Sequence, residues 1–143
     1  MPSALEHAKK LLAARERTEA QLRAALGRKQ YALDEIDQAI VRLKALRFLD
    51  DRRAAEAHAR VALTARQSRA AVTRKLASIG VAESEAEAVV DRVGVEVGHD
   101  DEAAARALLV KRRLSGVKAA RFLAGRGFNE DLIMKLVPEL TGE

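Results

Sequence analysis

Three stretches of this chain read as copies of one another, and that self-similarity constrains the fold more than any other feature. LRAALGRKQYALDEIDQAIVRL from Leu22, VTRKLASIGVAESEAEAVVDRV from Val72 and AARFLAGRGFNEDLIMKLVPEL from Ala119 align without a gap. Leu26, Leu76 and Leu123 coincide, as do Tyr31, Val81 and Phe128, each an apolar residue in a turn. Further along, Ile36, Ala86 and Ile133 coincide, then Ile40, Val90 and Val137, then Leu43, Val93 and Leu140. The copies start 50 and then 47 residues apart (22 to 72, then 72 to 119). A unit of that length is one supersecondary element that buries its apolar face by stacking on its neighbours.

The unit is helical. Apolar residues recur three and four apart, as in Ile36, Ile40, Leu43 and in Val89, Val90, Val93, and no stretch alternates well enough for a strand. Proline occurs only at Pro2 and Pro138, near the ends, so nothing breaks an interior helix. Thr18, Asp50, Ser68, Asp100 and Asn129 stand where N-caps fall. Gly80 and Gly127 align at a helix C-cap, where positive φ is easiest for glycine. Gln30 occupies that place in the first copy and predicts another way of ending the helix. The expected fold is all-α: three tandem three-helix repeats, 3–49, 50–96 and 97–143, in one curved, elongated stack. Its core is expected at Leu26, Ile36, Ile40, Leu76, Val90, Leu123, Ile133 and Val137.

Composition excludes several function classes. There is no cysteine, hence no disulfide or thiolate metal site, and a reducing compartment is expected. Charges interrupt every apolar run, so no membrane span is expected, and the N-terminal segment lacks a secretion signal. A cytoplasmic location follows as an expectation. No catalytic group is evident. His7, His58 and His99 are isolated, and adjacent pairs such as His99–Asp100 do not face one another on a helix. No two histidines have metal-ligand spacing, and the glycines sit singly rather than in a phosphate cradle. Ser68, Ser78, Ser84 and Ser115 have no evident base partner. No enzyme, metal or cofactor is expected.

Charge is distributed unevenly. The net charge of +5 favours anionic partners only weakly. Between Glu56 and Glu83 there is no acid, while Arg60, Arg66, Arg69, Arg74 and Lys75 are basic. Between Glu102 and Glu130 the same holds for Arg106, Lys111, Arg112, Arg113, Lys118, Arg121 and Arg126. Acids gather at the starts of first and third helices, which helix-dipole complementarity explains. That argument does not explain a second helix basic along its length. The twelve cations are therefore candidate contacts on a basic ridge, weighed against a plain solvated face. Third helices that open with carboxylates argue against major-groove reading, whereas phosphate contacts from the second helices stay open. Tyr31, Phe48, Phe122 and Phe128 are expected in the core rather than stacked on bases.

Three segments resemble one known family. Phe48-Leu49-Asp50-Asp51, followed by Arg52-Arg53-Ala54-Ala55-Glu56-Ala57, is similar to the central LDD-x-x-x-A-E-A signature of the RecX family. Arg121-Phe122-Leu123-Ala124-Gly125-Arg126-Gly127-Phe128 resembles its C-terminal RFL-x-x-RGF segment, and Arg17-Thr18-Glu19-Ala20-Gln21-Leu22 its N-terminal segment. The matches fall in the family's order and span nearly the whole chain. Gln21 replaces the usual glutamate, Arg66-Gln67-Ser68 lacks a usual glycine, and Ala54 and His58 stand where aromatics are frequent. The middle repeat is therefore expected to pack less tightly, or through alanine at closer helix distances. The resemblance implies a regulator that lies in the groove of the RecA–DNA filament and modulates, by inhibition, RecA ATPase and strand exchange in DNA repair. RecA is thus the expected partner, with single- or double-stranded DNA contacted through phosphates and the chain acting as a monomer. The competing reading is a helical repeat that binds nucleic acid without sequence preference, or serves as a scaffold.

Overall fold

The computed structural model describes residues 2–138, and the expectation at Leu140 lies outside them. Among the described residues the chain forms nine α-helices and no strand: α1 Ala4–Ala14, α2 Glu19–Arg28, α3 Leu33–Ala45, α4 Asp51–Thr64, α5 Arg69–Ser78, α6 Glu83–Val97, α7 Asp101–Arg112, α8 Gly116–Gly125 and α9 Glu130–Leu136. Most starts are chemically marked. The Thr18 hydroxyl accepts from the Gln21 amide and the Gln21 side chain returns to the Thr18 amide, closing a capping box. Asp50 accepts from the amides of Arg52 and Arg53, Ser68 from Ala71, Asp100 from Ala103 and Asn129 from Leu132.

The second helix of each group ends identically. Tyr31, Val81 and Phe128 donate to the carbonyls of Leu26, Leu76 and Leu123, while Gln30, Gly80 and Gly127 donate to Gly27, Ala77 and Ala124. These are Schellman turns. Gln30 takes the turn as a non-glycine at φ 67°, which corrects the expectation that the first copy ends its helix another way.

Three buried clusters fill the interior. Ala8, Leu22, Leu26, Ile36, Ile40, Leu43 and Leu49 form the first, from α1–α3 and the following link. A second, from α4–α6, includes Leu63, Val72, Leu76, Val89, Val90 and Val93. The third, from α7–α9, includes Leu108, Leu123, Phe128, Ile133 and Val137. All eight expected core residues are buried. Ala54, Ala55 and Ala59 are fully buried on α4, the latter two in the middle cluster. Tyr31 is half-buried, with its hydroxyl donating to the Pro2 carbonyl. Phe48 is 48% exposed beside Lys9, so it does not occupy the core as expected.

The groups join by one repeated device. The fully buried Thr18 hydroxyl donates to the Ile79 carbonyl at the end of α5. The Ser68 hydroxyl, equally buried, donates to the Arg126 carbonyl at the end of α8 (3.0 Å). Beside each bond, the first residue of the next group's first helix caps a preceding second helix: Asp51 accepts from the Glu19 amide (2.7 Å) and Asp101 from the Arg69 amide (3.0 Å). Contact is so close that a Cβ at Gly80 would lie 2.6 Å from the Cβ of Ala20, and one at Gly127 would lie 2.9 Å from the Ser68 Oγ.

Candidate basic interaction surface

The seams bring the second helices together. The C-terminal turn of α5 rests on the N-cap of α2, and that of α8 on the N-cap of α5. Arg74 closes the α5–α8 gap: its guanidinium lies 2.7 Å from where a Cβ at Gly127 would stand. Cations that are distant in sequence therefore share one column of helices.

Arg69, Arg74, Lys75, Lys118 and Arg121 stand on α5 and α8 of that column, whereas Arg60 lies on α4 and Arg106, Lys111 and Arg112 lie on α7; the twelve candidate cations divide by what they touch. Arg60 is tied to Glu96 (2.9 Å), and Arg106 to Glu102 (3.2 Å), which also binds Lys135 (2.6 Å). Hydrogen bonds from Lys135 and Arg106 hold the Glu102 carboxyl below its usual range. Arg69 lies flat across α6 over Gly94, donating to the His99 carbonyl (3.0 Å) and facing Asp91 (3.6 Å). It belongs to the seam rather than to a free surface. Arg66, Arg74, Lys75, Lys111, Arg113, Lys118 and Arg121 are exposed and form no ion pair among the described residues.

Arg112 and Arg126 differ again. Their guanidinium carbons lie 5.0 Å and 4.9 Å from the ring centroid of Phe122, which they flank from the end of α7 and the end of α8. Such cation–π contacts orient a guanidinium while leaving its N–H edge available to an anion. Phe122 thus supports two surface cations as well as lining the third cluster. The Phe122–Arg126 spacing of one helical turn was visible in the sequence; the approach of Arg112 was not, because it crosses between helices.

Two of the histidines are placed by the links around α4 and α6. Against the expectation that neighbours of His99 do not face it, its Nε2 lies 2.8 Å from the Asp101 Oδ1 and its Nδ1 3.3 Å from the Leu63 carbonyl. The helical rule fails there because His99 lies in the link after α6, which ends at Gly98 in the left-handed region. His58 lines an open groove of about 620 Å³ beside Arg15, Glu16 and Lys75. Among the described residues no group of three or more His, Asp or Glu side chains is placed to hold a metal ion, and no helix is long and apolar enough to cross a membrane.

Fold and surface define an all-α protein of stacked three-helix groups that presents cations on the exposed faces of its second helices. The profile of the first three-helix domain of RecX proteins matches residues 4–43. The regulatory protein RecX of Thermus thermophilus is 37% identical over 125 residues, which cover 87% of this chain and 83% of that protein. The chain belongs to the RecX family of regulatory proteins. Two solved structures share its fold. A crystal structure of regulatory protein RecX superposes with a TM-score of 0.75 at 17% identity, covering 95% of this chain and 71% of that one. RecX from Lactobacillus salivarius superposes at 0.67 with 22% identity, covering 98% and 96%.

Proposed function

We propose that this chain is a non-enzymatic regulator that binds the RecA–DNA filament and inhibits RecA ATPase and strand exchange. It acts as a monomeric array of three repeats, 3–49, 50–96 and 97–143, whose curvature lets successive second helices follow a filament groove. Family membership supports the partner. The observation that carries the contact surface is the column of second helices, joined by the Thr18–Ile79 and Ser68–Arg126 bonds and studded with unpaired cations. In this reading Arg66, Arg74, Lys75, Lys111, Arg113, Lys118 and Arg121 meet acidic protein surface or DNA phosphates, with Arg112 and Arg126 held ready by Phe122. Arg60, Arg69 and Arg106 chiefly serve the chain's own structure.

The test is RecA ATPase on single-stranded DNA with wild type and a Lys111→Glu, Arg112→Glu, Arg113→Glu variant. Wild type slows turnover, the variant slows it less, and both effects shrink as salt rises. The variant keeps wild-type stability within about 1 kcal/mol, because exposed charges contribute little to folding. Wild type that leaves RecA unaffected over a wide concentration range overturns the reading. Tight binding to bare DNA without any effect on RecA favours the nucleic-acid-binding alternative.

A further inference from the structure

A second surface adjoins the ridge, sharing Lys75 with it, and centres on the link between α1 and α2. Two grooves, of about 620 Å³ and 320 Å³, meet at Glu16, in the link between α1 and α2. Their walls are largely apolar, with Ala57, Ala62, Ala65, Val72 and Leu76 in the larger and Leu12 and Ala13 in the smaller. Val61 is 73% exposed in the larger groove and Phe48 48% exposed in the smaller. Their rim is cationic: Lys9, Arg15, Arg47, Arg53 and Lys75 against one acid, Glu16. That acid is already taken, since the Arg53 Nε donates to both of its carboxylate oxygens (3.0 and 3.1 Å). His58 lines the larger groove, and its Nε2 is buried with no hydrogen-bond partner. A group that hydrogen-bonds this nitrogen relieves the cost of leaving a buried polar atom unpaired.

We propose that these joined grooves dock an acidic polypeptide segment that carries large apolar side chains, with a carboxylate of that segment received beside His58. This rests on the filament reading and places the segment on the protein part of the filament rather than on its DNA. Three features select the occupant. The rim's excess of cations matches carboxylates. The apolar walls match side chains such as leucine or phenylalanine and offer nothing to a phosphate backbone. The larger groove has the volume of a ligand pocket and suits one turn of an amphipathic helix. Alanine at Ala54 and histidine at position 58 stand where the resemblance places aromatics, and a histidine fills less of the groove than those would.

Burial, then the positive charges of Arg15 and Lys75, hold the His58 imidazole below its usual range, while the Glu16 backbone carbonyl and then its carboxylate pull the other way. A carboxylate arriving beside the ring would offset those cations and favour its protonated form. Docking is then linked to proton uptake and tightens as pH falls through the histidine range.

Two measurements test this. The first follows the His58 ring by NMR while a synthetic amphipathic helix of glutamate and leucine is added, with its lysine-for-glutamate counterpart as control. The acidic peptide should shift the His58 signals and raise its titration midpoint; the basic peptide should do neither. Shifts with both, or with neither, overturn the proposal, whatever RecA does. A second measurement is co-sedimentation with RecA filaments on single-stranded DNA at about pH 6 and about pH 8. Wild type should gain more affinity on going to the lower pH than the His58→Phe variant does, and Arg15→Glu with Lys9→Glu, neither of them on the ridge, should weaken binding about tenfold or more. His58→Phe should keep or raise the melting temperature, since the ring fills the groove. Wild type that binds the filament while all groove variants match it overturns this docking site and leaves the filament reading standing. Wild type that does not bind overturns the filament partner itself. Groove variants that lose affinity for bare single-stranded DNA in equal measure show the occupant to be nucleic acid and overturn the proposal.

Discussion

Replacing Gly80 with alanine isolates the seam between the first two groups. Two costs arise at once. Gly80 sits at φ 99°, where an L residue is strained by about 1–2 kcal/mol. Its new Cβ would also stand 2.6 Å from the Cβ of Ala20, an atom with no rotamer by which to escape. Overpacking of that kind costs about 1–3 kcal/mol, so the total is about 2–5 kcal/mol. The melting temperature should fall by about 2–4 °C for each kcal/mol. Ala20→Gly in the same chain removes the obstructing methyl and should restore the overpacking part, leaving the strain. A double-mutant cycle in urea, followed by far-ultraviolet circular dichroism, separates the two. Gln30→Gly is the complementary change. The Gln30 side chain is exposed at φ 67°, so glycine there relieves strain without opening a cavity and should stabilise by about 1 kcal/mol. If Gly80→Ala costs no more than strain alone, or Ala20→Gly gives no rescue beyond additivity, the seam is not packed as argued.

Leu76→Ala and Leu123→Ala each remove a fully buried side chain from a separate cluster, and each should cost about 2–5 kcal/mol in urea unfolding; a loss under about 1 kcal/mol in both would contradict the three-cluster interior. Glu19, bonded to Lys44 and Arg23, has its carboxyl held below the usual range by those two hydrogen bonds. Its contribution is present above the ordinary carboxylate pKa of 4.5 and is lost as pH falls through the lower folded value. Urea midpoints from neutral pH downward should therefore fall less steeply for Glu19→Gln than for wild type.

How much was legible from residues alone varies with the interaction that decides each feature. Glycine C-caps are legible at Gly80 and Gly127 from their alignment, but the reason for glycine is half hidden. Positive φ is a local demand, and Gln30 meets it with a glutamine. The second demand, room for Ala20 or Ser68 of another group, exists only once the groups are packed. Ser68 was anticipated as an N-cap; that its hydroxyl also donates to the Arg126 carbonyl could not be, because the bond spans 58 residues. The basic ridge was drawn from runs without acids, yet Arg60 and Arg69 find acids on α6 that no run of sequence places beside them. His99 shows the same limit, since its facing of Asp101 depends on a left-handed residue ending α6.

The sequence by itself determined the helices, five of their N-caps and the eight aliphatic core residues from Leu26 to Val137. Those depend on spacing of three and four along one chain and on side chains reaching their own backbone, both of which are local. Only the tertiary structure decided which cations stay unpaired, where Phe122 is flanked by Arg112 and Arg126, and where the grooves about Glu16 open beside His58. Those depend on how one helix surface meets another across the seams. Charge and shape there are properties of two surfaces together, and no periodicity in a single segment encodes them.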